Sequence, residues 1–248
     1  MSTIYILWLR QLKRYFRSKS RIIGSIGQPL LFLLAFGLGF GPIYQKAGGG
    51  NYIQFLAPGI IAMGILFTAV FSGIEIIWDR QFGFLKETLV APVPRLTIMI
   101  GKTLGGGTVA ILQGIIIFLI SLIVGFRPVS LAFLPLAFIF MAFIAIFFTG
   151  AGIAIASLLK DMQGFQLIMN FLLMPLFFLS GALFPLQGLP ESLTLVASID
   201  PLSYGVDGLR GTLINNFHFG LFADITVLAL ITTLILILGS YLFSKIEI

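Results

Sequence analysis

The chain has 248 residues, 58% of them hydrophobic and 10% charged, with 26 phenylalanines and a mean hydropathy of +1.10. Globular chains run near about 45–50% apolar and about 25% charged, so this composition excludes a water-soluble domain and points to an integral membrane protein. Net charge is +6, from 15 Lys+Arg against 9 Asp+Glu; the basic residues flank apolar blocks, which reads as topology and contact with membrane lipid rather than nucleic acid.

Residues 2–20 open the chain as an amphipathic helix. At about 100° per residue, Ile4, Leu7, Trp8, Gln11, Leu12, Tyr15 and Phe16 share one side, and Arg10, Lys13, Arg14, Arg17 and Arg21 the other. That pattern suits a position in the headgroup plane, and equally a topogenic basic flank. The stretch is not a usual signal peptide, since no small-residue cleavage site follows a short apolar core.

Apolar blocks long enough to span, about 20 residues each, then follow at about 22–43, 54–78, 103–126, 131–158, 163–184 and 224–244. Segment 79–102 is charged, Arg127-Pro128 and Lys160-Asp161 make turns, and 185–220 is mixed. With six spans, twelve of the 15 basic residues fall on the side of the N-terminus, leaving Lys46, Arg127 and Arg210 opposite. The positive-inside rule then places both termini in the cytoplasm. The expected fold is all-α, one domain over 1–248, with no internal repeat and no room for a soluble domain.

Chemistry of its own is scarce. Cysteine is absent and His218 is the single histidine, so thiol chemistry is excluded and no metal is expected. Gly101-Lys102-Thr103 mimics the tail of a phosphate-binding loop, but position 96 is Leu where that loop needs Gly, and a helical span follows instead of a strand leading in. If ATP drives this chain, another polypeptide binds it.

The segment Trp78 to Arg95 alternates charge with large apolar residues and ends at Pro92 and Pro94. Phe82, Phe84, Leu85, Leu89 and Val90 are too apolar for a merely solvated loop, so they return to the membrane surface or pack on a partner. Ser180-Gly181 and Pro185 break the fifth block near its outer end. Leu189-Pro190-Glu191 reads as a helix start and Asp200-Pro201 as a stop. The result is a short hairpin dipping into the membrane, or else a plain loop cap; as a hairpin it gates the outer exit.

Two stretches carry a family resemblance. Asp79-Arg80-Gln81-Phe82-Gly83-Phe84-Leu85-Lys86-Glu87-Thr88-Leu89-Val90-Ala91-Pro92 resembles the cytoplasmic signature of type-2 ABC exporter permeases, most of all their daunorubicin-resistance branch. Ser180-Gly181-Ala182-Leu183-Phe184-Pro185, Leu189-Pro190, Asp200-Pro201-Leu202-Ser203-Tyr204 and Asp207-Gly208-Leu209-Arg210 resemble the family's outer re-entrant hairpin between spans 5 and 6. Gln81 departs, where the family often has an acid.

The resemblance implies a permease homodimer in a prokaryotic inner membrane. Each copy would contact one of two separate ABC ATP-binding subunits, which carry ATP and Mg while this chain holds no cofactor. Residues 2–20 would then be an interface helix presenting Arg10, Lys13, Arg14 and Arg17. The coupling helix between spans 2 and 3 would engage the ATPase through Asp79, Arg80, Gly83, Lys86, Glu87 and Pro92, with Phe82, Phe84 and Leu85 filling its groove. Gly181, Phe184, Pro185, Pro190, Pro201 and Tyr204 would form the outer gate.

The substrate path is read from polar residues inside spans. Gln163, Gln166 and Asn170, continued by Met174 and Phe177, form one stripe on the fifth, and Gln28 lies on the first. They line the path of a hydrophobic or amphipathic cargo (drug, lipid or glycan-lipid) or make interhelical hydrogen bonds. Two other readings stay open: a membrane-embedded enzyme using Glu191, Asp200 and Asp207 at the outer face, and a stand-alone ion-coupled carrier. The latter has only Glu75 as an acid within a span, expected to pair with Arg80.

Overall fold

A computed structural model describes residues 2–48, 50–85, 87 and 93–246. Lys86 and Thr88–Pro92, and with them two of the expected coupling residues, lie outside the described residues, as does the Arg21 side chain. The described chain is helical: α1 (Thr3–Arg17), α2 (Lys19–Gly39), α3 (Gly41–Lys46), α4 (Tyr52–Ser72), α5 (Ile74–Gln81), α6 (Arg95–Val124), α7 (Leu134–Leu158), α8 (Met162–Leu179), α9 (Glu191–Ile199), α10 (Pro201–Ile214) and α11 (Leu221–Ser244). Six stretches are long and apolar enough to cross a membrane: Ile22–Gly39, Tyr52–Gln81, Arg95–Val124, Leu131–Leu158, Met162–Leu179 and Leu221–Ser244.

Element ends differ from the sequence reading where local chemistry overrides hydropathy. The third span starts at Arg95, directly after Pro94, and not near 103. Proline is well placed just before a helix, and Lys102, which read as the charged edge of the block, is buried and paired. The fifth span ends at Leu179, short of 184. Ser180 Oγ turns back to the Phe177 carbonyl at 2.8 Å, and Gly181 at φ +73° leaves the helix. Asp200-Pro201, read as a stop, is also a start: Asp200 Oδ1 accepts from Leu202 N at 2.9 Å and caps α10.

The core forms around α4. Leu56, Ile60, Ile61, Met63 and Ile65 are fully buried, enclosed by α2, α6, α7 and α10. α11 lies on α7, and α8 stands on the flank, attached through Phe165, Met169, Leu173 and Phe177. The outward faces of α2 and α11 and one exposed face of α8 are apolar, with Leu31, Ile237 and Phe171 exposed. Such surface is what lipid replaces water against.

Polar ties gather the helix ends into two layers. At the basic end, the Arg80 guanidinium caps the last turn of α7, donating to the carbonyls of Leu159 at 3.0 Å and Ser157 at 3.3 Å. Arg95 does the same for the end of α11 at Ser244 and Ile246. Free carbonyls and the negative end of a helix dipole make these natural arginine sites. At the far end, Gln54 Oε1 accepts from Arg127 N at 3.2 Å, and Val129 N donates to the Leu213 carbonyl at 2.8 Å.

α10 packs antiparallel to α7: a Cβ on Gly205 would strike Ile144, and one on Gly208 would strike Phe140. Leu213 lies at the far end, so Pro201 lies deep, sharing a cavity with Val70, Phe148 and Gly152. Fourteen residues of α10 cover about 20 Å. α9 and α10 therefore pack as two joined helices, with α10 lying against α7.

Candidate functional site

α1 is held flat along α6. Its buried face is Leu7, Gln11 and Tyr15, three of the residues placed inward by periodicity. The approach is close because Gly101 and Gly105 are on the facing side of α6: a Cβ on Gly105 would lie 2.6 Å from Gln11 Cγ, and one on Gly101 3.0 Å from Leu7 Cβ. Polar contacts fix the register. Trp8 Nε1 donates to Thr108 Oγ1 at 3.0 Å, and Gln113 Oε1 accepts from Tyr15 Oη at 2.9 Å and Ser25 Oγ at 3.0 Å.

The charged residues of α1 then meet those of α5. Arg10 and Arg14 are one turn apart, as are Glu75 and Asp79, so two rungs form between antiparallel helices. Arg10 Nη2 lies 3.0 Å from Asp79 Oδ1, and Arg14 Nη1 lies 3.5 Å from Glu75 Oε2. Lys102 of α6 supplies the second cation on Asp79, at Oδ2. Asp79 is 4% exposed and Lys102 likewise. A lone carboxylate there would cost several kcal/mol in desolvation; two cations offset it and join three helices at one point.

Aromatic rings complete this joint. The Arg10 guanidinium lies 3.7 Å above the Phe84 ring, and that of Arg14 lies 4.8 Å above Trp78. A groove of about 1040 Å³ opens beside them, between α1 and the end of α5, lined also by Lys13, Arg17, Lys19 and Phe82. Lys13, Arg17 and Lys19 are exposed, giving the rim a positive excess. Phe82 protrudes, 83% exposed, next to Gly83 at φ +79°, a turn that favours glycine.

This arrangement changes several assignments. Of the residues expected to touch a partner, Asp79 pairs with Arg10 and Lys102 within the chain, the two Arg80 Nη atoms donate to helix-end carbonyls while its Nε has no partner among the described residues, and Leu85 is 2% exposed. Glu75 pairs with Arg14, not Arg80. Phe82 and Glu87 remain outward, while Lys86 and Pro92 lie outside the described residues. Lys102 and Gln113 were missed. The signal for Lys102 was present: a lysine inside an otherwise apolar block needs an acid nearby, and Asp79 ends the preceding span.

At the far end three of the expected gate residues, Gly181, Pro185 and Tyr204, border a second polar cluster. Tyr52 Oη donates to the Leu183 carbonyl at 2.8 Å, and Arg210 Nη2 donates to the Gly181 carbonyl at 2.9 Å while its guanidinium lies 3.9 Å above Phe55. Gly59 lets the loop descend further, since a Cβ there would overlap the Ala182 backbone. Asp207 accepts from His218 N at 2.7 Å and Phe219 N at 2.8 Å, and Tyr204 stacks on Phe219 at 4.7 Å. Pro185 borders this cluster, Phe184 and Pro190 are exposed, and Pro201 lies away from it at the deep end of α10.

On α8, Gln163, Gln166, Asn170 and Met174 are exposed along one face. Phe177 leaves that stripe and is buried, edge-on to Phe32 at 6.1 Å. Gln28 lies elsewhere, in a cavity of about 280 Å³ between α1, α2 and α4.

Residues 2–214 match the ABC-2 type transporter family. The chain is similar to the putative transport permease ycf38 of Porphyra purpurea, 30% identical over 93% of this chain and 83% of that one. It is 28% identical to the inner membrane transport permease YadH of Escherichia coli K12, over 82% and 80%. With nodulation protein J of Rhizobium leguminosarum bv. viciae it shares 26% identity, over 78% and 74%.

Proposed function

The chain belongs to the ABC-2 type transporter family and is a membrane transport permease subunit; on that premise we propose that it is the spanning part of an ATP-driven exporter whose ATPase is a separate chain. The observation that carries this is the joint: three helices meet at Asp79 beside a basic groove from which Phe82 protrudes. An exposed aromatic rimmed by charge suits a partner's pocket. ATP and Mg belong to that partner, which binds here through Phe82, Glu87 and the rim cations Lys13 and Arg17. Arg10 and Arg14 stiffen the surface from behind.

The basic end faces the cytoplasm, by the positive-inside rule, in an inner membrane as for YadH. Two copies assemble with two ATPases. The polar stripe of Gln163, Gln166 and Asn170 is costly against lipid, and a second copy or a water-lined path between copies covers it. The hairpin of α9 and α10 enters from outside and closes the exit through Gly181, Phe184, Pro185, Pro190, Pro201 and Tyr204.

Closure of the ATPases pushes on Phe82 and α5. Because α1, α5 and α6 are bound through Asp79, they tilt together, and Gly73, with right-handed helical backbone, joins α5 to α4 in one span. α4 is a rod of 21 residues, about 30 Å. Its other end holds the gate loop at Tyr52, Phe55 and Gly59, so tilting at one face loosens the other.

Reconstitution tests the reading. With a cognate ATP-binding subunit, vesicles should move an amphipathic dye only when ATP is present on the side of the basic end. Equal transport by the purified chain alone, or under an ion gradient without ATP, contradicts it and favours a stand-alone carrier.

A further inference from the structure

Asp200 has more acceptor capacity than its structural task uses. Its Oδ1 caps α10 by accepting from Leu202 N at 2.9 Å, a task that Asn or Ser performs about as well. Its Oδ2 is buried with no hydrogen-bond partner among the described residues, and the residue as a whole is 5% exposed. An unpaired carboxylate oxygen in apolar surroundings is expensive, so it calls for a cation or a donor that arrives from elsewhere.

The surroundings say what kind. Asp200 lies at the inner end of a groove of about 470 Å³ between α8 and α9, walled by Phe171, Pro175, Leu176, Leu179, Val196 and Ile199. That volume falls in the range of small-molecule sites. Phe171, Pro175 and Leu179 lie roughly 150° around α8 from the polar stripe of Gln163, Gln166 and Asn170, so the groove is a different face from the one assigned to the second copy. Its outer wall is open, with Ile199 73% and Phe171 84% exposed. A long apolar body enters from the side, and the single polar demand at the end is negative.

We propose that this groove binds a lipophilic ammonium, its alkyl chain along Phe171, Pro175 and Ile199 and its N–H donating to the Asp200 carboxylate, whose buried Oδ2 turns toward the groove as the ligand enters. The pair neutralises the buried carboxylate, and the alkyl chain covers wall residues that are otherwise exposed. As a cargo site this rests on the export reading and names the class of cargo. Binding is measured on the permease alone, so its failure is read apart from any failure of ATPase docking.

The probes are dodecylamine and dodecanol, matched in chain length, titrated onto the full chain in lipid nanodiscs with the thermal midpoint as readout. Comparison with Asp200→Asn, which keeps the cap acceptor, cancels partitioning of each probe into lipid. For the wild type, dodecylamine should act at a concentration about tenfold lower than for Asp200→Asn, the worth of one charged hydrogen bond. Dodecanol should act alike on both. Ile199→Trp, which fills the groove from its exposed wall, should weaken both probes. An equal dodecylamine response in wild type and Asp200→Asn overturns the proposal, and so does an Ile199→Trp chain that responds to both probes as the wild type does.

Discussion

Asp79 illustrates how a few charges are used in a chain that has only 10% of them. Its carboxylate is shared by Arg10 and Lys102, residues 69 and 23 positions away. Lys102→Met leaves it with one cation in a buried place and should cost on the order of 2–4 kcal/mol, seen as a lower thermal midpoint in detergent. Lys13→Gln, on the exposed rim, should move that midpoint by no more than about 0.5 kcal/mol equivalent. The motif pointed to Asp79 and Arg80, and both make contacts within their own chain that the motif does not name. A sequence pattern gives the type and spacing of a polar group; whether it faces a partner or its own chain depends on a helix that arrives from another part of the sequence.

At the scale of elements, periodicity placed Leu7, Gln11 and Tyr15 on the inward side of α1, while Gly101 and Gly105 of α6, four positions apart, have the small-xxx-small spacing that permits a close helix contact. That these two features are halves of one interface was not legible, because neither names its partner. Gly105→Leu should force α1 away from α6, costing about 2 kcal/mol. Intrinsic tryptophan emission should shift to the red as Trp8 loses Thr108, whereas Gly39→Leu, with open space around it, should leave the emission unchanged. The pair of helices after α8 was half legible. Asp200-Pro201 fits a helix stop and a helix start equally well, and only the packing of Gly205 and Gly208 shows that a second helix, α10, lies against α7.

For the whole molecule, hydropathy located six spans and the charges marked their ends, since both follow from composition over long windows. Span ends were less legible where a charge is neutralised, as at Lys102, or where a glycine breaks an apolar run, as at Gly181. Orientation is open to direct measurement because the chain has no cysteine. Lys13→Cys, at the exposed rim of the basic end, should react with an impermeant maleimide only after the membrane is opened. Asn216→Cys, exposed at the far end, should react in intact cells. The reverse pattern would invert the assignment of both faces.

The central claim is that a separate ATPase drives this permease through Phe82 and the joint behind it. Phe82 is 83% exposed, so Phe82→Glu should fold with the thermal midpoint of the wild type. ATP hydrolysis by the cognate ATP-binding subunit, measured with wild-type and Phe82→Glu permease in nanodiscs, tests the claim most directly. The account predicts that the wild type stimulates hydrolysis and that Phe82→Glu loses both the stimulation and co-purification of the ATPase. Undiminished stimulation by a folded Phe82→Glu permease would contradict it.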